Sequence, residues 1–261
     1  MTALRAVLWD VDGTLAETER DGHRVAFNQA FEALGLPWRW NVERYGELLR
    51  ITGGRERLLH DMSTRADAPA VPGEREALAR ALHARKNAFF ADLARSARLP
   101  LRDGVLALMR ECGERGVRMG IATTTSRVNV AALLSMHLGA GWQDRFAAVV
   151  CGEDVRQKKP DPEVYRLALR QLGISPLEAV AIEDSPGGVA AARAAGVPVI
   201  VTRSAYFGAA AIADAAAIGP GLHDRGGWLP ALRPGVDAQA PVGLDDLEDW
   251  RAAGETVSAF G

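Results

Sequence analysis

The sequence predicts an α/β protein whose doubly wound (Rossmann-like) parallel sheet is interrupted, after its first strand, by a small helical cap. Three observations carry this reading. Short apolar runs at residues 6–9, 117–122, 147–151, 179–182 and 197–201 show no polar alternation, the pattern of strands buried on both faces of a parallel sheet. Helical patterns fall between the later runs, as βαβ units require. The interval from Asp10 to Thr123 is far longer than one crossover helix needs, so an inserted unit is expected there.

The elements follow in chain order. Ala6 opens the first strand and Asp10 ends it. Within the insert, residues 23–34 put Phe27, Ala30, Phe31 and Leu34 on one side, with Gly35 after them. Residues 41–51 begin at Asn41, a good N-cap, and carry Tyr45, Leu48 and Leu49. Residues 74–94 place Leu78, Leu82, Phe89 and Leu93 at helical spacing. After the third strand, Asp161 and Pro162 offer an N-cap and a first-turn proline, and Gly173 suits the C-terminal cap. Residues 185–195 repeat that plan, closed by Gly196. The stretch 212–218 is alanine-rich and 219–241 is dense in glycine and proline, so an irregular excursion is expected, with a last helix at 244–252. The division expected is a core of residues 1–17 and 98–261 and a cap of residues 18–97.

Composition excludes several classes. With 31 basic against 33 acidic residues, a formal net charge of −2 builds no field for a polyanion, so neither nucleic acid nor an anionic membrane is an expected partner. The tryptophans are read as packing residues, because no basic patch accompanies them. Cys112 and Cys151 are far apart and fit neither a disulfide framework nor a zinc knuckle, which suits a reducing compartment. No apolar stretch reaches the ~20 residues of a bilayer span, and the N-terminal apolar run is too short for a secretory signal. A cytoplasmic protein, monomeric rather than oligomeric, is the expectation.

Ligands of open α/β sheets sit at the carboxyl ends of strands. The residues there are Asp10-Val11-Asp12-Gly13-Thr14, Thr123-Thr124-Thr125-Ser126, Lys158-Lys159-Pro160 a little after the third run, and Glu183-Asp184-Ser185. Carboxylates, hydroxyls and a lysine on one edge suit a divalent cation, which takes hard oxygen ligands, together with a phosphate, whose oxygens take cationic and hydroxyl donors. His60, His83, His137 and His223 belong to no pattern.

Those four motifs, in that order, resemble the haloacid-dehalogenase superfamily, and the resemblance runs to about residue 220. It implies a covalent phosphoryl intermediate on Asp10, with Asp12 as general acid and then base. It implies Mg²⁺ held by Asp10, the backbone carbonyl of Asp12 and Asp184, with Glu183 as direct ligand or support. Thr123 and Lys159 would bind phosphoryl oxygens, with Thr124 a further candidate. Lys158 competes with Lys159, but the motif places its lysine directly before proline.

A helical cap at this point resembles the branch containing β-phosphoglucomutase and phosphoglycolate phosphatase. The run from Asp12 to Asn28, and Thr52-Gly53-Gly54-Arg55-Glu56-Arg57, look closest to the CbbY proteins. That resemblance implies a phosphatase of xylulose 1,5-bisphosphate, a Calvin-cycle side product that inhibits Rubisco. A sugar phosphomutase using the same aspartyl phosphate is the alternative. Gly53 and Gly54 before a helical start offer free N–H groups, and Arg55 adds a forked cation, together a place for a distal phosphate. Glu17, near the hinge, is expected to meet substrate hydroxyls; His23 and Lys86 are further candidates for the cleft.

Overall fold

The computed structural model describes residues 3–96, 98–232 and 235–258, with the backbone alone from 254. Six parallel strands form one sheet in the order β3-β2-β1-β4-β5-β6. They are β1 (Ala6–Trp9), β2 (Arg118–Ala122), β3 (Ala148–Val150), β4 (Ala179–Glu183), β5 (Val199–Thr202) and β6 (Ala217–Gly219). Strand β1 lies in the middle, with Trp9 in register with Ile121 of β2 and Ile182 of β4.

Alternation along each strand sends neighbours to opposite faces, and both faces are covered, which explains the unbroken apolar runs. Val7, Trp9, Ile121, Val180, Ile182 and Ile200 face one layer, built from α5 (Val105–Glu114), α6 (Arg127–Leu138) and α9 (Leu244–Ser258). Ala6, Leu8, Ala181, Val199 and Val201 face the other, built from α7 (Glu163–Leu172) and α8 (Pro186–Ala194). Helix α7 starts at Glu163 behind an N-cap Pro162, one residue later than an Asp161 cap would set it; the Asp161 side chain instead accepts the N–H of Glu163 at 2.9 Å. Ser185 caps α8 by accepting the N–H of Gly188.

Between β1 and β2 run α1 (Arg24–Ala33), entered through a π-helical turn (Glu19–His23), then α2 (Val42–Leu48), α3 (Gly54–Ser63) and α4 (Pro72–Arg95). These helices enclose an apolar cluster of their own, centred on Phe27, Phe31, Trp40, Tyr45 and Met62. The two chain crossings that lead to and from them lie side by side: Ala16 bridges to Leu101, and the N–H of Arg102 donates to the carbonyl of Leu15 at 2.8 Å. Ala97, at the expected cap boundary, lies outside the described residues, as do Met1 and 259–261 at the ends of the expected core.

The tail differs from the sequence expectation. Ala217-Ile218-Gly219 adds a sixth strand beside β5, and the glycine- and proline-rich stretch returns to the core through Trp228, which stacks on Trp250 of α9 at 4.4 Å between ring centroids. All six tryptophans are buried, as packing residues would be.

Candidate active site

The strand order reverses direction at β1, so β1 and β4 open a crevice at their carboxyl ends, where such sheets bind ligands. A cavity of about 740 Å³ lies there, between the sheet edge and α1, α3 and α4. Asp10 enters it directly from β1, and its N–H is tied to the carbonyl of Ile182 at 3.1 Å. The turn that follows needs a glycine: Gly13 has φ +83°, and a Cβ there would sit 2.1 Å from Asp184 Oδ2.

Three carboxylates, Asp10, Glu183 and Asp184, bring oxygens within 4.8 Å of one another, all buried. One cation answers them. Lys159 donates to Asp10 Oδ1 at 2.7 Å and to Glu183 Oε1 at 2.6 Å, and the Tyr165 hydroxyl donates to the same Glu183 oxygen at 2.5 Å. Burial pushes Asp10 up to about 7, against the pull of Lys159 and with the push of Glu183 and Asp12. Asp184 is driven well above the usual carboxylate range by burial and then by Asp10 and Glu183. Lys159 is held above its ordinary value: burial alone would lower it, and the two carboxylates outweigh that. Counting three carboxylates against one ammonium leaves two negative charges among oxygen-only donors, a set that fits a hard divalent cation.

Asp12 points elsewhere. Its Oδ1 lies 2.9 Å from His23 Nε2 and accepts the Thr18 hydroxyl at 2.5 Å. Burial would raise its pKa, but the charge and hydrogen bond of His23, with that of Thr18, hold it well below the usual range. The His23 ring stacks on Phe90 at 4.1 Å. Thr123 follows β2 directly, is buried, and accepts the N–H of Thr125; Thr124 also lines the cavity.

Of the two candidate lysines, the structure sets Lys159 against Asp10. Lys158 reaches α3 instead, donating to both oxygens of Glu56 at 2.9 Å. Gly53, Gly54 and Arg55 line the cavity mouth, with Arg55 exposed and Gly53 at φ +98°. Lys86 lies in the wall at 3% exposure, its Nζ 5.3 Å from the ring centres of both Phe27 and Phe90. Burial pushes Lys86 down to about 8, against the pull of Asp12 and Glu19.

Glu17 is the correction. It does not line this cavity: its carboxylate accepts the N–H of Ala205 at 3.2 Å and lies 3.8 Å from Arg102, on the outer side of the hinge. Ala16 is pinned by its bridges to Asp12 and Leu101, and from there Glu17 leaves outward. Glu19, beyond Thr18, faces inward, accepting the Tyr45 hydroxyl at 2.5 Å and pairing with Arg57 at 3.7 Å. Sequence reasoning missed Glu19, Arg57, Tyr165 and His83. His83 lines the cavity and is pushed down to about 4 by burial, then by the charges of Lys86 and Lys158.

Comparison with known proteins agrees with this geometry. The family model for haloacid dehalogenase-like hydrolases matches residues 4–196. A CbbY protein of Cupriavidus necator is 40% identical over 95% of this chain and 96% of its own. The crystal structure of CbbY from Rhodobacter sphaeroides in complex with phosphate superposes with a TM-score of 0.76 at 41% identity, covering 81% of this chain and 92% of that one. A mutant of that CbbY in complex with xylulose-(1,5)bisphosphate gives the same TM-score at 40% identity, with the same coverage. This chain therefore belongs to the haloacid dehalogenase-like hydrolase family and is a homologue of the CbbY proteins.

Proposed function

We propose that the chain is a Mg²⁺-dependent phosphatase of a sugar phosphate, xylulose 1,5-bisphosphate first among the candidates, working through an aspartyl phosphate on Asp10. The observation that carries this is Asp10 itself: a carboxylate at the floor of the cavity, hydrogen-bonded to Lys159 and grouped with Glu183 and Asp184. A CbbY structure holding xylulose-(1,5)bisphosphate supports the substrate class.

Asp10, Asp184 and the backbone carbonyl of Asp12 would hold Mg²⁺, with Glu183 in support, and the bound ion would offset the charge on the phosphoryl oxygens. An Asp10 oxygen attacks phosphorus, the bond to the ester oxygen breaks, and Asp12 gives that oxygen a proton. Water then attacks the aspartyl phosphate and passes its proton to Asp12, which releases phosphate and the free Asp10 carboxylate. Lys159 and Thr123 hold phosphoryl oxygens and lessen repulsion between Asp10 and the incoming dianion. His23 and Thr18 hold Asp12 as a carboxylate in this structure, so Asp12 has to take up a proton from solvent before the ester oxygen leaves.

A second phosphate has a place to go. Arg50, Arg55 and Arg156 line the same cavity and enter no ion pair among the described residues, whereas Arg57 and Lys158 are engaged by Glu19 and Glu56. The test is a product analysis over pentose and hexose mono- and bisphosphates with Mg²⁺. Release of inorganic phosphate, strongest from a pentulose bisphosphate, is expected. A positional isomer formed without phosphate release would replace this reading with a mutase.

A further inference from the structure

The loop after β5 sets four consecutive residues against the carboxylate cluster, the hinge, α2 and the cavity in turn. Ser204, buried, hydrogen-bonds the Asp184 carboxylate and accepts the N–H of Phe207 at 3.4 Å. Ala205 donates its N–H to both oxygens of Glu17, in the linker leading to α1. Tyr206 lays its ring against Tyr45 of α2, 5.8 Å between centroids, and packs on the apolar cluster of α1 to α4. Phe207 lines the cavity itself.

We propose that Tyr206 is a positioning residue: through it the 204–207 loop docks α2 against the sheet edge and sets Phe207 as the wall along the carbon chain of a sugar phosphate. This rests on the sugar-phosphate reading above. The contact is made by the ring, because the Tyr206 hydroxyl is buried without a hydrogen-bond partner among the described residues. Opposite it stands Gly46 of α2, where a Cβ would lie 3.2 Å from the ring. Tyr45 passes the contact inward, since its hydroxyl donates to Glu19 and accepts from Arg57, both in the cavity wall. A sugar phosphate presents C–H surface between its charged ends, and Phe207 offers an apolar face among charged neighbours. A substrate with only a two-carbon acyl group, such as acetyl phosphate, is too short to need this alignment.

The test measures kcat and KM for xylulose 1,5-bisphosphate and acetyl phosphate on wild type, Tyr206→Ala and Tyr206→Phe, with thermal unfolding of each. Tyr206→Ala should lose about 10- to 100-fold in kcat/KM on the bisphosphate, the scale of a misplaced substrate, and keep acetyl phosphate turnover within about 2-fold. Tyr206→Phe should match wild type on both. Gly46→Ala, which presses a methyl into the same ring from the helix side, is an independent variant and should reproduce the split. Equal losses on both substrates, an undamaged bisphosphate activity in Tyr206→Ala, or a Phe variant as poor as the Ala variant would overturn the proposal. Wild-type protein inert on both substrates would instead overturn the phosphatase reading on which it rests.

Discussion

Replacing Lys86 by methionine should stabilise the protein while impairing it. Methionine keeps most of the stem volume and removes a charge that sits between Phe27 and Phe90 at 3% exposure, with no ion pair of its own. The fall from the ordinary 10.5 to about 8 is the net of burial, which disfavours the ammonium, and the opposing pull of Asp12 and Glu19. At 1.36 kcal/mol per decade, that difference is worth about 3 kcal/mol in favour of an uncharged side chain. The sign follows from proton counting. Below pH 8 both folded and unfolded chains carry the charge, so wild type bears the full cost. Between pH 8 and 10.5 the unfolded chain binds more protons than the folded one, so wild-type stability rises with pH and the gap to the variant closes. Urea unfolding at pH 7 and at pH 10 measures both. Activity should move the other way: loss of a cationic contact to a substrate oxygen, about 2 kcal/mol, lowers kcat/KM about 30-fold. A variant that is destabilised at pH 7, or one that is both stabler and fully active, would refute the reasoning; the first would mean that Lys86 is a structural cation, the second that it never meets substrate.

Three further outcomes are expected. Asp10→Asn should abolish turnover with little change in melting temperature, and near-normal phosphate release from the folded variant would end the covalent mechanism. Chelation should remove activity and Mg²⁺ restore it, with Ca²⁺ a poor substitute because it takes more ligands at longer distances; full turnover in excess chelator would contradict this. Arg55→Ala should cost about 30- to 1,000-fold in kcat/KM on a bisphosphate and leave p-nitrophenyl phosphate hydrolysis nearly unchanged, while equal damage to both would make Arg55 structural.

The sheet was legible because its strands are buried on both faces. Runs such as Ala6–Trp9 carry no competing periodicity, and the motifs of Asp10, Thr123 and Glu183 sit where a run stops, with that of Lys159 a little after one. Lys159 could be separated from Lys158 only through the resemblance, since both follow the same strand and only the fold turns one toward Asp10 and the other toward Glu56. What the sequence hid depended on partners distant in the chain. Strand β6 is three residues of an alanine-rich stretch, and its pairing with β5, not its propensity, makes it a strand. Tyr165 meets Glu183 only because α7, packed on β2 and β3, carries its hydroxyl to the end of β4, and no local spacing signals it. Glu17 and Glu19 are alike as residue types; the bridges of Ala16 and the π-helical turn decide which one faces the cavity.

The site can also be found from electrostatics without any motif. Carboxylates with displaced pKa values in opposite directions, Asp10 and Asp184 upward and Asp12 downward, line one cavity together with a histidine and a lysine whose charged forms are disfavoured. Outside that cavity, Cys112 and Cys151, the buried thiols, are pushed up to about 12 and so are kept as neutral, unreactive groups. Glu178 is held low by Arg5 and Ser175 at the surface, an ion pair of small value to stability. Among the described residues, it is in the cavity that acidic and basic groups resist their ordinary charges side by side. Such an arrangement costs folding free energy, and it becomes favourable when a cation answers the carboxylates and an anion answers the cap's cations. A metal-bound phosphate ester supplies both charges in one molecule, which is the physical reason for reading this cavity as a phosphatase site.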